Sequence, residues 1–383
     1  MFQLREWRLT AMLRVPSRGG STRKATVESG TTELTRLPGL EVPEVPVPQA
    51  SGERGRWIER GPSGKLMLFS GRSNPELSER IAELLNISLG EVELETFANG
   101  ETYCRYCESI RGADVFLIQS CHGLHSNDHL MELMIMIQAA KLASANRITA
   151  VMPWYPYSRQ DKKSAPREPI TAKLVADMLV AAGVDRILTM DLHAGQIQGF
   201  VSIPVDHMTA LPLFAQYYRD KGLHGDDVVA VSPDPGRAKM ARKFGEMLEA
   251  DLAIMNKTRP ARDSAAVTEV IGRVKGKVAI MTDDIIVTGG TLIAGAQALK
   301  DAGATEVYAC ATHALIPESA FEKLGQSQLK EIVVTDTVPI NPLLRPDNFP
   351  EPLTVSILLA DTIKNVFSDE SVSAIFAGEN QLF

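Results

Sequence analysis

Short, almost wholly apolar runs recur along this chain from Leu66 onward, separated by stretches long enough for a helix. They are Leu66–Phe69, Val115–Gln119, Ile148–Met152, Ile187–Met190, Val228–Val231, Leu252–Met255, Val278–Met281, Val307–Ala311 and Ile332–Val334. Their brevity and their Val, Ile and Leu content predict buried strands. The stretches between them carry helix signals. Asn74-Pro75-Glu76 supplies a cap and a proline at the first helical position, ahead of Leu77, Ile81, Leu84 and Leu85 on one face. Thr171 opens another helix, with Leu174, Met178 and Leu179 as its apolar positions and Gly183 as its stop. This alternation predicts an α/β fold with parallel sheets. Two strand–loop–helix units of similar layout, Ile148–Ala182 and Val278–Ala302, point to two related domains.

The second of these units carries the most chemistry. Asp283 and Asp284 stand at the C-terminal end of the Val278–Met281 strand, and Thr288-Gly289-Gly290-Thr291 then turns into a helix. That helix has Leu292, Ala296 and Leu299 as its apolar face and ends near Gly303. Glycines let backbone N–H groups close on an anion, and a helix N-terminus adds partial positive charge, so the turn is built to cradle a phosphate. Adjacent carboxylates accept hydrogen bonds from vicinal hydroxyls, directly or through a divalent cation. Together they describe a pocket for a sugar phosphate. An acidic loop followed by an ordinary helix is the plainer reading, and it leaves the order of strand, carboxylates, glycine turn and helix unexplained.

Composition narrows the class. With 383 residues, 44% of them hydrophobic, the chain can bury two ordinary cores. A net charge of -7 gives no global basic surface, which disfavours a nucleic-acid partner. No apolar stretch approaches the roughly 20 residues of a membrane helix, so no membrane partner is expected. Four cysteines in a chain this long predict a reducing compartment, hence a cytoplasmic location, and no disulfide scaffold. The opening differs from the rest: Arg5, Arg8, Arg14, Arg18, Arg23 and Lys24 face a single acid, Glu6, and residues 37–62 are rich in Pro, Gly and Glu. Residues 1–63 therefore read as a dispensable, disordered extension. An Arg-rich transit peptide would look similar, but the glutamates spread through it argue against one.

Several segments share one resemblance. Asp283–Thr291 resembles the phosphoribosyl-pyrophosphate loop of type I phosphoribosyltransferases and of ribose-phosphate diphosphokinases (phosphoribosyl pyrophosphate synthetases). The second family is selected by Arg159-Gln160-Asp161-Lys162-Lys163 with Arg167–Lys173, by Asp191-Leu192-His193-Ala194-Gly195-Gln196-Ile197-Gln198-Gly199-Phe200, and by Phe97-Ala98-Asn99-Gly100-Glu101. Ser232-Pro233-Asp234 with Gly236, and Lys257-Thr258-Arg259-Pro260, fall in the same family order. The likeness runs from about Leu66 to about Phe376.

The resemblance implies two phosphoribosyltransferase-like domains, 64–209 and 210–383, with a boundary near Thr209–Leu211 and a last strand around Ser371–Phe376 returning to the first. It implies transfer of the diphosphoryl group of ATP to the anomeric hydroxyl of ribose 5-phosphate, with Mg²⁺. Asp283 and Asp284 would hold the ribose hydroxyls, and Thr288, Gly289, Gly290 and Thr291 the 5-phosphate. Lys257 and Arg259, in a polar run after a strand, would be the catalytic cations of a loop that folds over the phosphates. His193 and Asp234 would be the magnesium-linked pair, and Asn99, Glu101, Arg159 and Gln160 the ATP contacts. The family's oligomers are dimers assembled into larger rings, so a homo-oligomer, dimers assembled into a hexamer, is expected.

Two clusters mimic metal sites. Cys104-x-x-Cys107 lies in a strand-like stretch whose period-two alternation sends the thiols to opposite faces. Cys121-His122-x-x-His125-x3-His129 precedes a long apolar helix, His129–Ala143, and is read as a loop without metal. The chain also departs from the family. Val287 stands where the phosphate loop usually has a third acid, Ser164 replaces a common acid, and Pro235 stiffens the turn after Asp234. Two other readings follow from these features: a catalytically weak paralogue regulating an active synthetase, which Val287 favours, and a phosphoribosyltransferase, which leaves the 191–200 and 159–163 segments without a role.

Overall fold

The computed structural model describes residues 55, 58–60, 64–258 and 267–373. Every one of the nine apolar runs forms a strand, because each fills a position covered on both faces. The first half of the chain runs β1 (Ile58–Arg60), β2 (Gly64–Ser70), α1 (Pro75–Leu84), β3 (Val92–Thr96), β4 (Thr102–Tyr106), β5 (Asp114–Ile118), α2 (Ser126–Leu142), β6 (Arg147–Met152), α3 (Thr171–Ala182), β7 (Arg186–Met190) and β8 (Val205–Met208). Its sheet has the order β1-β2-β5-β6-β7-β8, parallel except for β1, while β3 and β4 form a separate hairpin.

The second half runs α4 (Leu211–Asp220), β9 (Val228–Ser232), α5 (Ala238–Leu248), β10 (Asp251–Thr258), β11 (Val267–Ile271), β12 (Val278–Ile286), α6 (Gly290–Asp301), β13 (Glu306–Ala314), α7 (Glu318–Gly325), β14 (Glu331–Val334) and α8 (Ser356–Ser368). Its sheet has the order β11-β10-β9-β12-β13-β14, with only β11 antiparallel. The chain leaves β9 toward β10 on one side and returns to β12 on the other. That reversal opens a crevice at the carboxyl ends of β9 and β12, where ligands collect in open α/β sheets.

Local signals place the helices. Asn74 Oδ1 accepts from Leu77 N at 3.4 Å and Pro75 opens α1, while Gly183 ends α3 at φ 107°. Leu77 and Ile81 are buried, but Leu84 is 44% exposed, and on α3 Leu174 is 53% exposed. The buried face of α3 is instead Ala172, Val175, Ala176 and Leu179. Leu84 and Leu174 lie off the buried stripes, because angular position and not apolar type decides what each helix buries.

Two apolar clusters each fill one face of one sheet. A third joins the sheets: Leu66, Leu188 and Met208 of the first share it with Val228, Ile280 and Val333 of the second, together with Phe214, Phe244 and Leu359. Polar bonds cross the same joint. Asp191 Oδ2 accepts from Thr312 Oγ1 at 2.6 Å, and Ser120 Oγ donates to Thr337 O at 2.6 Å. Helix α8 packs on α1, so the chain ends its described part beside the first sheet. Of the strand expected around Ser371–Phe376, residues 371–373 form no strand and the rest lie outside the described residues.

Candidate active site

Three strand ends converge at the joint. Beyond β7, Asp191 adopts φ 34°, a left-handed conformation uncommon for a side-chain-bearing residue, and His193 follows it. Beyond β9, Asp234 caps a 3-10 turn: its Oδ1 accepts from Gly236 N at 2.7 Å and Arg237 N at 3.1 Å. Pro235 occupies the first position of that turn. Strand β12 runs through both carboxylates to Ile286, so Asp283 and Asp284 lie within the strand and not past its end.

The side chains form one tight network. His193 Nδ1 lies 2.8 Å from Asp284 Oδ2 and 2.6 Å from Arg237 Nη2. Arg237 Nη2 pairs with Asp284 Oδ1 at 2.8 Å, an ion pair whose angles fall outside a hydrogen bond, and Arg237 Nε lies 3.6 Å from Asp283 Oδ1. That Asp283 oxygen also accepts from Asp284 N at 2.9 Å. Burial, then the neighbouring Asp284 carboxylate, pushes Asp283 up to about 8. Burial would raise Asp284 too, but the His193 hydrogen bond and the Arg237 charge outweigh it and hold Asp284 well below the usual carboxylate range. The two carboxyls are thus pushed apart, and Asp284 is the one held ionised.

A cavity of about 360 Å³ opens beside this network, lined by Asp191, Leu192, Gln196, Gly236, Arg237 and Asp284 among others. Asp191 Oδ1 is buried without a hydrogen-bond partner among the described residues. The glycine turn stands one step beyond β12. Gly289 caps α6 at φ 71°, and no side chain caps that helix. Its first-turn N–H groups are thus available to an anion. A Cβ on Gly289 would lie 2.4 Å from Leu324 Cδ2, which fixes glycine there.

The other candidates are distributed around this centre. Gln160 Oε1 accepts from Thr171 Oγ1 at 2.6 Å, and Arg159 beside it is exposed. Their loop is tied to the 191–200 segment by Gln196 Nε2 donating to Asp161 Oδ2 at 2.7 Å. Asn99 and Glu101 sit in the β3–β4 turn, where Asn99 Oδ1 accepts from Glu101 N at 3.2 Å. Glu101 lines a different cavity, of about 840 Å³, with Phe97, Arg72, Asp128 and His129. Lys257 lies in β10 opposite Thr268; its side chain, like all of Arg259, is outside the described residues.

Arg237 is the site residue that sequence reasoning missed. In Asp234-Pro235-Gly236-Arg237 it resembles any surface arginine opening a helix. Only its place directly after a strand-end carboxylate and a glycine could have singled it out. Among the described residues, no three His, Cys, Asp or Glu side chains are gathered so as to hold a metal alone. The Cys104 and Cys107 thiols are free, and the His129 ring lies tilted against those of His122 and His125, with centroids 5.0 and 6.3 Å away.

Residues 66–183 match the family described as the N-terminal domain of ribose phosphate pyrophosphokinase, and residues 257–377 the phosphoribosyl synthetase-associated domain. A ribose-phosphate pyrophosphokinase of Fusobacterium nucleatum is 48% identical over 309 residues, covering 81% of this chain and 97% of that protein. One from Caldanaerobacter subterraneus is 50% identical, covering 82% and 98% respectively. The crystal structure of a phosphoribosylpyrophosphate synthetase from Mycobacterium smegmatis matches with a TM-score of 0.74 at 44% identity, covering 79% of this chain and 99% of that one.

Proposed function

The chain belongs to the ribose-phosphate pyrophosphokinase family and transfers the diphosphoryl group of ATP to ribose 5-phosphate, and we propose that it does so in the cleft around Arg237 and the Asp283–Asp284 pair. What supports this placement most is the meeting of His193 from one sheet with Arg237 and both aspartates from the other. Asp283 and Asp284 receive the vicinal ribose hydroxyls, and the N–H groups of Thr288–Thr291 receive the 5-phosphate. The anomeric oxygen loses its proton to water and bonds to the β-phosphorus of ATP as the bond from that phosphorus to the α–β bridging oxygen breaks, and AMP leaves. Such a transfer needs alignment and positive charge more than covalent help. Lys257 and Arg259 supply that charge from beyond β10, while Asn99, Glu101, Arg159 and Gln160 take the nucleotide.

Mg²⁺ fits the donors present. Asp191 Oδ1 is an orphaned buried oxygen on the cavity wall, and Asp234 uses only Oδ1 in its turn. Few protein oxygens, with water and phosphate completing the shell, is the habit of this ion. Asp234 would hold it, with His193 linked to it through water or phosphate, and it would neutralise charge on the phosphates. A homo-oligomer, dimers assembled into a hexamer, is supported by the cavity that Glu101 lines, which stands apart from the cleft and suits an ATP site completed by a second copy. A cytoplasmic location is supported by free thiols at Cys104, Cys107, Cys121 and Cys310, and no described helix is long and apolar enough to cross a membrane.

The purified chain is expected to release AMP from ATP only when ribose 5-phosphate and Mg²⁺ are both present. AMP formed without the sugar, or none with it, would overturn the assignment. Val287, half-buried in the turn between β12 and α6, adds a finer test. Val287→Asp restores a carboxylate beside the sugar and is expected to raise kcat by up to about tenfold, which corresponds to about 1.4 kcal/mol of barrier. The ATP KM should stay unchanged. A kcat equal to the parent's would show that the position does not limit turnover.

A further inference from the structure

Arg237 occupies the acceptors the sugar needs. Its guanidinium pairs with Asp284 Oδ1 at 2.8 Å and lies 3.6 Å from Asp283 Oδ1, while His193 takes Asp284 Oδ2. Asp284 is 1% exposed as a result. A guanidinium and a vicinal diol are both hydrogen-bond donors, so they compete for one carboxylate pair. The competition also reaches His193. Its Nδ1 can donate to Asp284 or accept from Arg237, but not both, so withdrawal of the guanidinium leaves Nδ1–H on the carboxylate and fixes the tautomer.

Only the side chain of Arg237 is free to withdraw. Its backbone is anchored, with N–H bonded to Asp234 Oδ1 and to Asp234 O at 3.2 Å. The wall it would move along is already suited to anions: the cavity is bounded there by Gly236, Arg237, Ala238 and Lys239, at the N-terminal end of α5. Polyphosphate in that cavity would repay the guanidinium for the carboxylates it gives up.

We propose that Arg237 is a positioning residue released by substrate: it closes the Asp283–Asp284 pair in the free enzyme, and ribose 5-phosphate frees it to face the phosphates of ATP. This rests on the reading of Asp283 and Asp284 as the sugar site. A closed pair lowers the apparent sugar affinity by the fraction of enzyme that is open. Release of a cation toward the nucleotide makes the two substrates bind cooperatively, and linkage makes that coupling reciprocal.

Calorimetric titration with ribose 5-phosphate alone separates the possibilities. Arg237→Ala is expected to bind the sugar about tenfold more tightly than the parent, because the closed state is removed. In the same variant, ribose 5-phosphate should no longer tighten binding of α,β-methylene ATP, and kcat should fall. Arg237→Gln, which keeps the stem and loses the charge, is the companion variant should the alanine fail to fold. Asp284→Asn should abolish sugar binding. Sugar binding that is unchanged or weaker in the Arg237 variants, with Asp284→Asn still deficient, overturns the release and leaves the sugar site standing. Undiminished sugar binding in Asp284→Asn overturns both.

Discussion

Asp284→Ala is expected to lower turnover by at least about a hundredfold and to destabilise the protein by about 3 kcal/mol. The two losses have different causes. Asp284 is the deepest charge in the cleft, held ionised against its burial by His193 and Arg237. Removing it leaves a guanidinium that is only 12% exposed without its main partner. Breaking a buried ion pair from one side costs about 3–5 kcal/mol, and Asp283, 3.6 Å from Arg237 Nε, keeps the loss at the low end. The turnover loss comes from the sugar, which loses the charged acceptor that fixes its orientation. Asp284→Asn distinguishes the two effects, since it keeps the shape and an acceptor oxygen but not the charge. Its thermal midpoint should lie nearer the parent's, while its turnover stays as low as that of the alanine variant. An alanine variant with parental kcat would remove Asp284 from the reaction.

How much of this was legible in the sequence differs by level. Strand runs such as Ile148–Met152 and Val278–Met281 were visible because strands covered on both faces are apolar throughout. Edge elements were harder. Strand β11, Val-Thr-Glu-Val-Ile, pairs on one side only and keeps polar residues, and β8 carries Asp206 and His207 within a four-residue run. The glycine turn was legible as well, because backbone chemistry imposes glycine at Gly289 and leaves a local mark. Side-chain chemistry across the joint left none. His193 and Asp284 are 91 positions apart, and nothing near either residue announces the other. Arg237 was missed for the same reason: its meaning lies entirely in what it faces. Resemblance supplied the roles of Lys257 and Arg259, whose residue types alone fit a solvated surface equally well.

Gly289→Val should abolish ribose 5-phosphate binding and cost about 3 kcal/mol of stability, from a strained left-handed backbone and an overfilled core together. At φ 71° a β-branched side chain is strained wherever it points. Here it also points at Leu324, whose Cδ2 would lie 2.4 Å from the new Cβ and whose Cγ would lie 2.8 Å away. Leu324 is fully buried in the second sheet's core, among Phe321, Leu292 and Phe349, so it has nowhere to retreat. The turn must therefore move, and the N–H groups at the start of α6 move with it. Gly290→Ala isolates the ligand's share of the effect. Its Cβ would meet nothing nearer than Thr288 Oγ1 at 3.7 Å, an ordinary contact, so the thermal midpoint should remain parental. Any loss of sugar affinity in that variant then belongs to crowding of the bound phosphate. Parental sugar affinity in Gly289→Val would show that the 5-phosphate is held somewhere other than this turn.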